Sequence, residues 1–158
     1  MNKQDWIALL GFVFMCLAVG GISGYFTAAG VGEWFDGLRK PFFNPPKWVF
    51  GPVWTLLYLM MGVAAFLVWR QVGFWHLAIG LFFVQLALNF AWSFIFFSAH
   101  RIGVALTDII LLWLAIVATI FVFAPLSAAA AWLLAPYLLW VTFASLLNAS
   151  IWRLNPAQ

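Results

Sequence analysis

Residues 109–152 read IILLWLAIVATIFVFAPLSAAAAWLLAPYLLWVTFASLLNASIW, without one charged side chain. A bilayer crossing takes about 20 apolar residues, so this run holds two crossings if the chain turns inside it. Pro125 and Ser127 supply the turn, because proline has no N–H for the helix ladder and a serine hydroxyl caps the free N–H groups of the next helix. Helices are therefore expected over 102–123 and 127–152, with Pro136 as a kink in the second.

Working outward, the polar turn Ser98-Ala99-His100-Arg101 ends an apolar stretch that predicts a helix over 74–97. Arg70 ends another over 48–69, entered through Pro45-Pro46. From Trp6 to Gly32 there is again no charge, which predicts a helix over 6–27. This run is longer than the roughly 7–15 apolar residues of a signal peptide and is read as a retained span. The expected fold class is an all-α membrane protein, a bundle of five transmembrane helices in one domain (1–158), with a Trp/Pro-rich loop between the first two.

Composition agrees. Of 158 residues 67% are hydrophobic and 7% charged, where soluble domains carry about 25% charged residues, and the mean hydropathy is +1.08. Seven Lys and Arg outweigh four Asp and Glu. The basic residues lie at span ends, which is a topology signal and not the clustered basic face of a nucleic-acid partner. Five spans place Lys3 and Arg70 on one side and Arg39, Lys40, Lys47, Arg101 and Arg153 on the other. The positive-inside rule then puts the first loop and the carboxyl terminus in the cytoplasm and the amino terminus outside. The single cysteine, Cys16, has no partner for a disulfide. No fixed-period repeat is visible, and an odd number of spans argues against a simple inverted-repeat transporter.

The loop Glu33–Trp48 alternates bulky rings with charges and holds Pro41, Pro45 and Pro46, so it is expected to lie against the membrane face as a stiff aromatic lid. Interfacial anchoring explains the same composition. On the third span, Gln85, Asn89, Trp92 and Phe96 share one helical face. Their amides either join helices or line a cavity. Trp140, Ala144 and Asn148 repeat the pattern on the fifth span, and Trp54 and Tyr58 on the second, so these faces either pack a bundle interior or enclose a flat aromatic ligand.

Other chemistry is poorly supplied. His76 and His100 flank one span and stand about 36 Å apart at 1.5 Å per residue, which excludes a bis-histidine haem within one chain. With one buried cysteine they make no convergent metal site. Asp108, the one carboxylate inside a span, is expected to snorkel or to bond to a neighbouring helix, with a proton or substrate relay as the functional alternative. No second carboxylate, Ser/His/Asp set or phosphate loop accompanies it, so acid/base catalysis has no machinery. Gly20, Gly24 and Ala28 on the first span, and Ala87 and Ala91 on the third, have the spacing that permits close helix approach, within the bundle or between chains.

The order Trp34-Phe35, Leu38, Lys40-Pro41, Asn44-Pro45-Pro46, Trp48, Phe50, Trp54 and Leu57-Tyr58 resembles the opening signature of the TspO/MBR family of tryptophan-rich sensory proteins and translocator proteins. Gln85, Asn89, Trp92-Ser93 and Phe96-Phe97 continue it, as do Pro136-Tyr137, Trp140, Phe143-Ala144, Leu147-Asn148, Trp152-Arg153 and Asn155. The resemblance implies a five-helix bundle, typically a homodimer, that binds protoporphyrin IX or haem as ligand beneath the first loop. In animal members the ligands also include cholesterol and synthetic drugs. It assigns ligand-lining positions to Trp34, Phe35, Pro41, Trp54, Tyr58, Gln85, Asn89, Trp140 and Ala144, and Asn148 joins them as the last member of its stripe. Phe35 departs from the tyrosine of many relatives. Asn148 is followed by Ala149 where animal members have the tyrosine of a proposed sterol motif, which ranks porphyrin above sterol.

The resulting expectation is a tetrapyrrole-binding sensor or regulator in a bacterial membrane, with no required cofactor and no metal. The alternatives are a transporter or exporter of porphyrins or other hydrophobic ligands, sterols included, and a light-dependent porphyrin-degrading catalyst with Trp140 as the pocket indole.

Overall fold

The computed structural model describes residues 2–30 and 32–156. Its helices are α1 (Lys3–Gly30), α2 (Glu33–Gly37), α3 (Lys47–Val72), α4 (Leu77–Phe97), α5 (Ile102–Phe123) and α6 (Ala128–Leu154). All but α2 are long and apolar enough to cross a membrane. The chain is a multi-pass integral membrane protein.

The boundaries follow from local chemistry. Gly73 ends α3 in a left-handed conformation, φ 76°, the region glycine enters without steric cost. The next helix begins at Leu77 and not at residue 74, because His76 is its cap and accepts from the Ala78 N–H at 3.2 Å. Ser127 caps α6 as expected, accepting from the Ala130 N–H at 3.3 Å. Helix α6 runs unbroken through Pro136, and α3 through Pro52. The loop expected to be a stiff aromatic lid contains the short helix α2, whose Phe35 is buried.

The five long helices form a closed ring in the order α1, α3, α6, α5, α4, with contact between each neighbouring pair. In its centre Tyr58 of α3 donates to Asn89 Oδ1 of α4, and Asn89 Nδ2 donates to the Tyr137 hydroxyl of α6 at 2.8 Å. Nearer the α2 end, Asn148 of α6 accepts from Trp92 Nε1 at 3.0 Å and donates to the Ile102 carbonyl at 3.0 Å, joining α4, α6 and α5. Exposed rings mark both ends of the bundle. Trp6, Trp75 and Trp132 lie at one end, Phe42, Trp48 and Trp152 at the other, the two aromatic belts of a membrane protein.

The backbone of α1 approaches a neighbouring backbone closely at two points. A side chain at Gly62 of α3 would meet the Val13 backbone at 2.7 Å, and one at Gly30 would meet the backbone of Phe97 on α4. Between them α1 passes from α3 toward α4, and a space opens.

Candidate functional site

That space is a cavity of about 600 Å³, inside the roughly 300–1,000 Å³ range of small-molecule sites. One wall is the backbone face of α1 from Leu17 to Ala28. The facing wall is formed by Phe50, Gly51, Trp54, Thr55 and Tyr58 of α3, with Ser93 and Phe97 of α4 behind and Phe35 of α2 above. Side chains added at Gly21, Gly24 or Gly51 would meet nothing within 4 Å. These glycines leave the volume open.

A second, nearly filled chamber of about 20 Å³ adjoins it on the α6 side. Phe35, Phe50, Trp54 and Phe97 line both. Its far wall is Trp140, Phe143, Ala144, Leu147 and Asn148. Trp140 meets Trp54 and Phe50 edge-on, at 6.4 and 6.0 Å between ring centroids. Trp140 Nε1 is buried without a hydrogen-bond partner among the described residues.

The sequence-predicted residues therefore divide. Phe35, Trp54 and Tyr58 line the larger cavity, and Trp140, Ala144 and Asn148 line the smaller. Trp34, Pro41, Gln85 and Asn89 line neither. Trp34 instead stacks on His100, 4.1 Å between centroids and 17° from parallel. His100 sits in the turn before α5 with a positive φ of 55°. Asn89 is committed to the two tyrosines, the helix-joining alternative for its amide. Gln85 is buried with neither amide atom paired among the described residues. Pro41 lies half-buried in the lid.

Asp108 corrects the expectation of snorkelling. It shares the inner face of α5 with Ala105, Ile109 and Leu112 and is 9% exposed. Its Oδ2 finds no hydrogen-bond partner among the described residues.

The residues that sequence reasoning missed are mostly small or hydroxylated: Ser23 and Thr27 on α1, Thr55 on α3 and Ser93 on α4. Their signal was present in the glycine stripe. Gly20 does make the expected close approach, since a side chain there would run into the Tyr58 ring, but Gly24 one turn on faces open space.

Three ties hold the lid. Lys47, at the start of α3, is ion-paired with Asp36 of α2 at 2.7 Å. Asn155 accepts from the Arg39 N–H at 3.0 Å and donates to the Arg39 carbonyl at 2.9 Å. The Trp34–His100 stack is the third. Lys40 supports the same turn, donating to the carbonyls of Asp36 and Leu38 and lying 4.8 Å from the centre of the Phe35 ring.

Comparison with known proteins shows the family. The model of the TspO/MBR family matches residues 12–153. The chain is 43% identical to the tryptophan-rich protein TspO of Archaeoglobus fulgidus, over 94% of this chain and 97% of the relative. It is 43% identical to the human translocator protein, over 95% and 91%, and 38% identical to the tryptophan-rich sensory protein of Cereibacter sphaeroides, over 97% and 94%. With a family-wide match over nearly its full length and five membrane-crossing helices, the chain belongs to the TspO/MBR family of tryptophan-rich sensory and translocator proteins.

Proposed function

We propose that this protein binds a porphyrin of the protoporphyrin IX or haem type in the cavity between α1 and α3, and that occupancy is sensed through the lid. The observation that carries this reading is the position of Phe35. Its ring belongs to α2, yet it closes the top of both chambers and packs on Phe96 and Phe97 of α4 at 6.3 and 5.9 Å. A flat conjugated ligand would find aromatic faces on the α3 wall, a glycine-lined wall opposite and a few hydroxyls at its edges. Anything entering that space presses on a lid element fixed to the α4–α5 turn and to the end of α6.

Haem would bind here by packing. His76 caps the far end of α4 and His100 is stacked on Trp34, so neither lines a chamber. For porphyrin photochemistry, Trp54 walls the larger cavity and Trp140 only the smaller, so Trp54 is the indole nearest a bound macrocycle. The homodimer implied by the resemblance would use Ala87, exposed on the outer face of α4, because Gly20 is already occupied within the bundle by Tyr58. The bacterial membrane and cytoplasmic lid belong to the same proposal and rest on the distribution of charge.

Titration of the detergent-solubilised chain with protoporphyrin IX, followed by tryptophan fluorescence, tests this. Saturable quenching is expected, weakened about tenfold or more by Trp54→Ala, the scale of losing one well-packed aromatic contact. A folded preparation that does not saturate would remove the proposal. Binding without ligand flux in proteoliposomes would separate sensing from transport.

A further inference from the structure

Lys47 is the one charged side chain lining the larger cavity among the described residues. Its side chain is 51% exposed, so it stands at the opening and not in the depth. Everything else in the lining is aromatic ring, leucine, glycine, alanine or hydroxyl. The cavity is therefore polarised, with an uncharged body and a cationic rim.

The ammonium is held in place. Lys47 Nζ donates to Asp36 Oδ2 at 2.8 Å and lies 2.7 Å from Oδ1, so both oxygens of the carboxylate meet one amine. Asp36 belongs to α2, the helix that carries Phe35 over the cavity. Lys40 adds a second positive charge, its Nζ 3.2 Å from the Asp36 carbonyl. A carboxylate of the protein's own lid thus occupies the position that a carboxylate on a ligand would take if its apolar body lay in the cavity.

We infer that Lys47 is the anion-recognising residue of the cavity, selecting amphiphiles that carry a carboxylate at one edge, and that the ligand's carboxylate takes over from Asp36 as its partner on binding. This rests on the cavity being the ligand site and specifies what that site discriminates. A half-exposed ion pair contributes little to stability because water and salt screen it and two long side chains must be held still. A ligand carboxylate whose own apolar body shields the pair from water gains more from the ammonium than Asp36 gives up, whereas a ligand without a carboxylate leaves the Lys47–Asp36 pair in place and gains nothing there. The α2 helix, losing its tie to α3, registers the exchange.

Protoporphyrin IX and its dimethyl ester form the test, since they share a macrocycle and differ in charge at one edge. In the wild type the free acid is expected to bind about fivefold more tightly than the ester, the scale of one partly exposed charge pair. Lys47→Gln should lower acid affinity about fivefold and leave ester affinity unchanged, while Lys47→Arg keeps the preference. Asp36→Asn, which removes the competing carboxylate, should tighten the acid about twofold. Equal losses for acid and ester in Lys47→Gln, or no loss for the acid, would overturn anion recognition; unchanged or weaker acid binding in Asp36→Asn would overturn the exchange. If neither compound binds the folded wild type, the cavity is not a porphyrin site, a different failure from equal binding of both.

Discussion

Gly20 and Gly24 lie one helical turn apart on the same face of α1, yet they do opposite things. At Gly20 a methyl group would run into the ring of Tyr58, and that ring cannot swing away freely because its hydroxyl is bonded to Asn89. Gly20→Ala is expected to cost about 1–3 kcal/mol, as overpacking in a closed core does. At Gly24 the same methyl meets nothing. Gly24→Leu should leave the thermal midpoint near wild type, a change within about 0.5 kcal/mol, and fill the cavity, weakening the proposed porphyrin binding by about tenfold or more through steric clash. Thermal unfolding in detergent and the fluorescence titration, run on both variants, separate the two roles; a Gly24→Leu chain that binds normally would move the ligand elsewhere. Spacing alone marked both glycines as suited to close approach. It held no information about which would be met, because that depends on where α1 leaves α3, a property of the packed bundle.

At the scale of elements, the long helices were legible because an uncharged run of this length has one economical state in a bilayer, with every backbone group bonded inside its own helix. The errors fell at ends, where a single side chain decides. His76 delays α4 by capping it, and Glu33–Gly37 is too short for periodicity to reveal a helix in the lid. The lid's attachment was not legible either, since it is made by pairs far apart in sequence, Asp36 with Lys47 and Arg39 with Asn155. The first pair gives the lid a pH dependence. Lys47 holds the Asp36 carboxyl below its ordinary value, chiefly through their hydrogen bond. A depressed carboxyl contributes fully above the unlatched value of about 3.9, and its contribution disappears as pH falls through the lower, latched value. Hydrogen exchange of the lid amides, corrected for the intrinsic pH effect, should therefore show protection that is steady near neutrality and declines on acidification below about pH 4. In Asp36→Asn that decline should vanish; its persistence would mean that another group carries it. High salt should weaken the latch in the same way, because the pair is exposed.

For the whole molecule, the ring of helices explains why the lid and its ties gather at one end. The α2 lid, the α4–α5 turn and the end of α6 meet there, brought together by the Trp34–His100 stack and the Arg39–Asn155 pair, while the amino terminus and the α3–α4 turn occupy the opposite end. Ring order was beyond the sequence, which fixes only that successive spans alternate direction. The charge asymmetry was legible, because basic residues near span ends resist transfer across the bilayer. Arg39, Lys40, Lys47, Arg101 and Arg153 all belong to the lid end, and Lys3 and Arg70 to the other. Cysteine labelling can read this sidedness against little background, since the native Cys16 is fully buried. Phe42→Cys in the lid and Trp75→Cys in the α3–α4 turn suit the purpose, as both parent side chains are almost wholly exposed. In intact cells an impermeant maleimide should reach position 75 and not position 42. In inside-out vesicles the pattern should reverse. Labelling of position 42 from outside would invert the orientation and place the cavity mouth, with Lys47 at its rim, away from the cytoplasm, where a ligand would have to arrive from outside the cell.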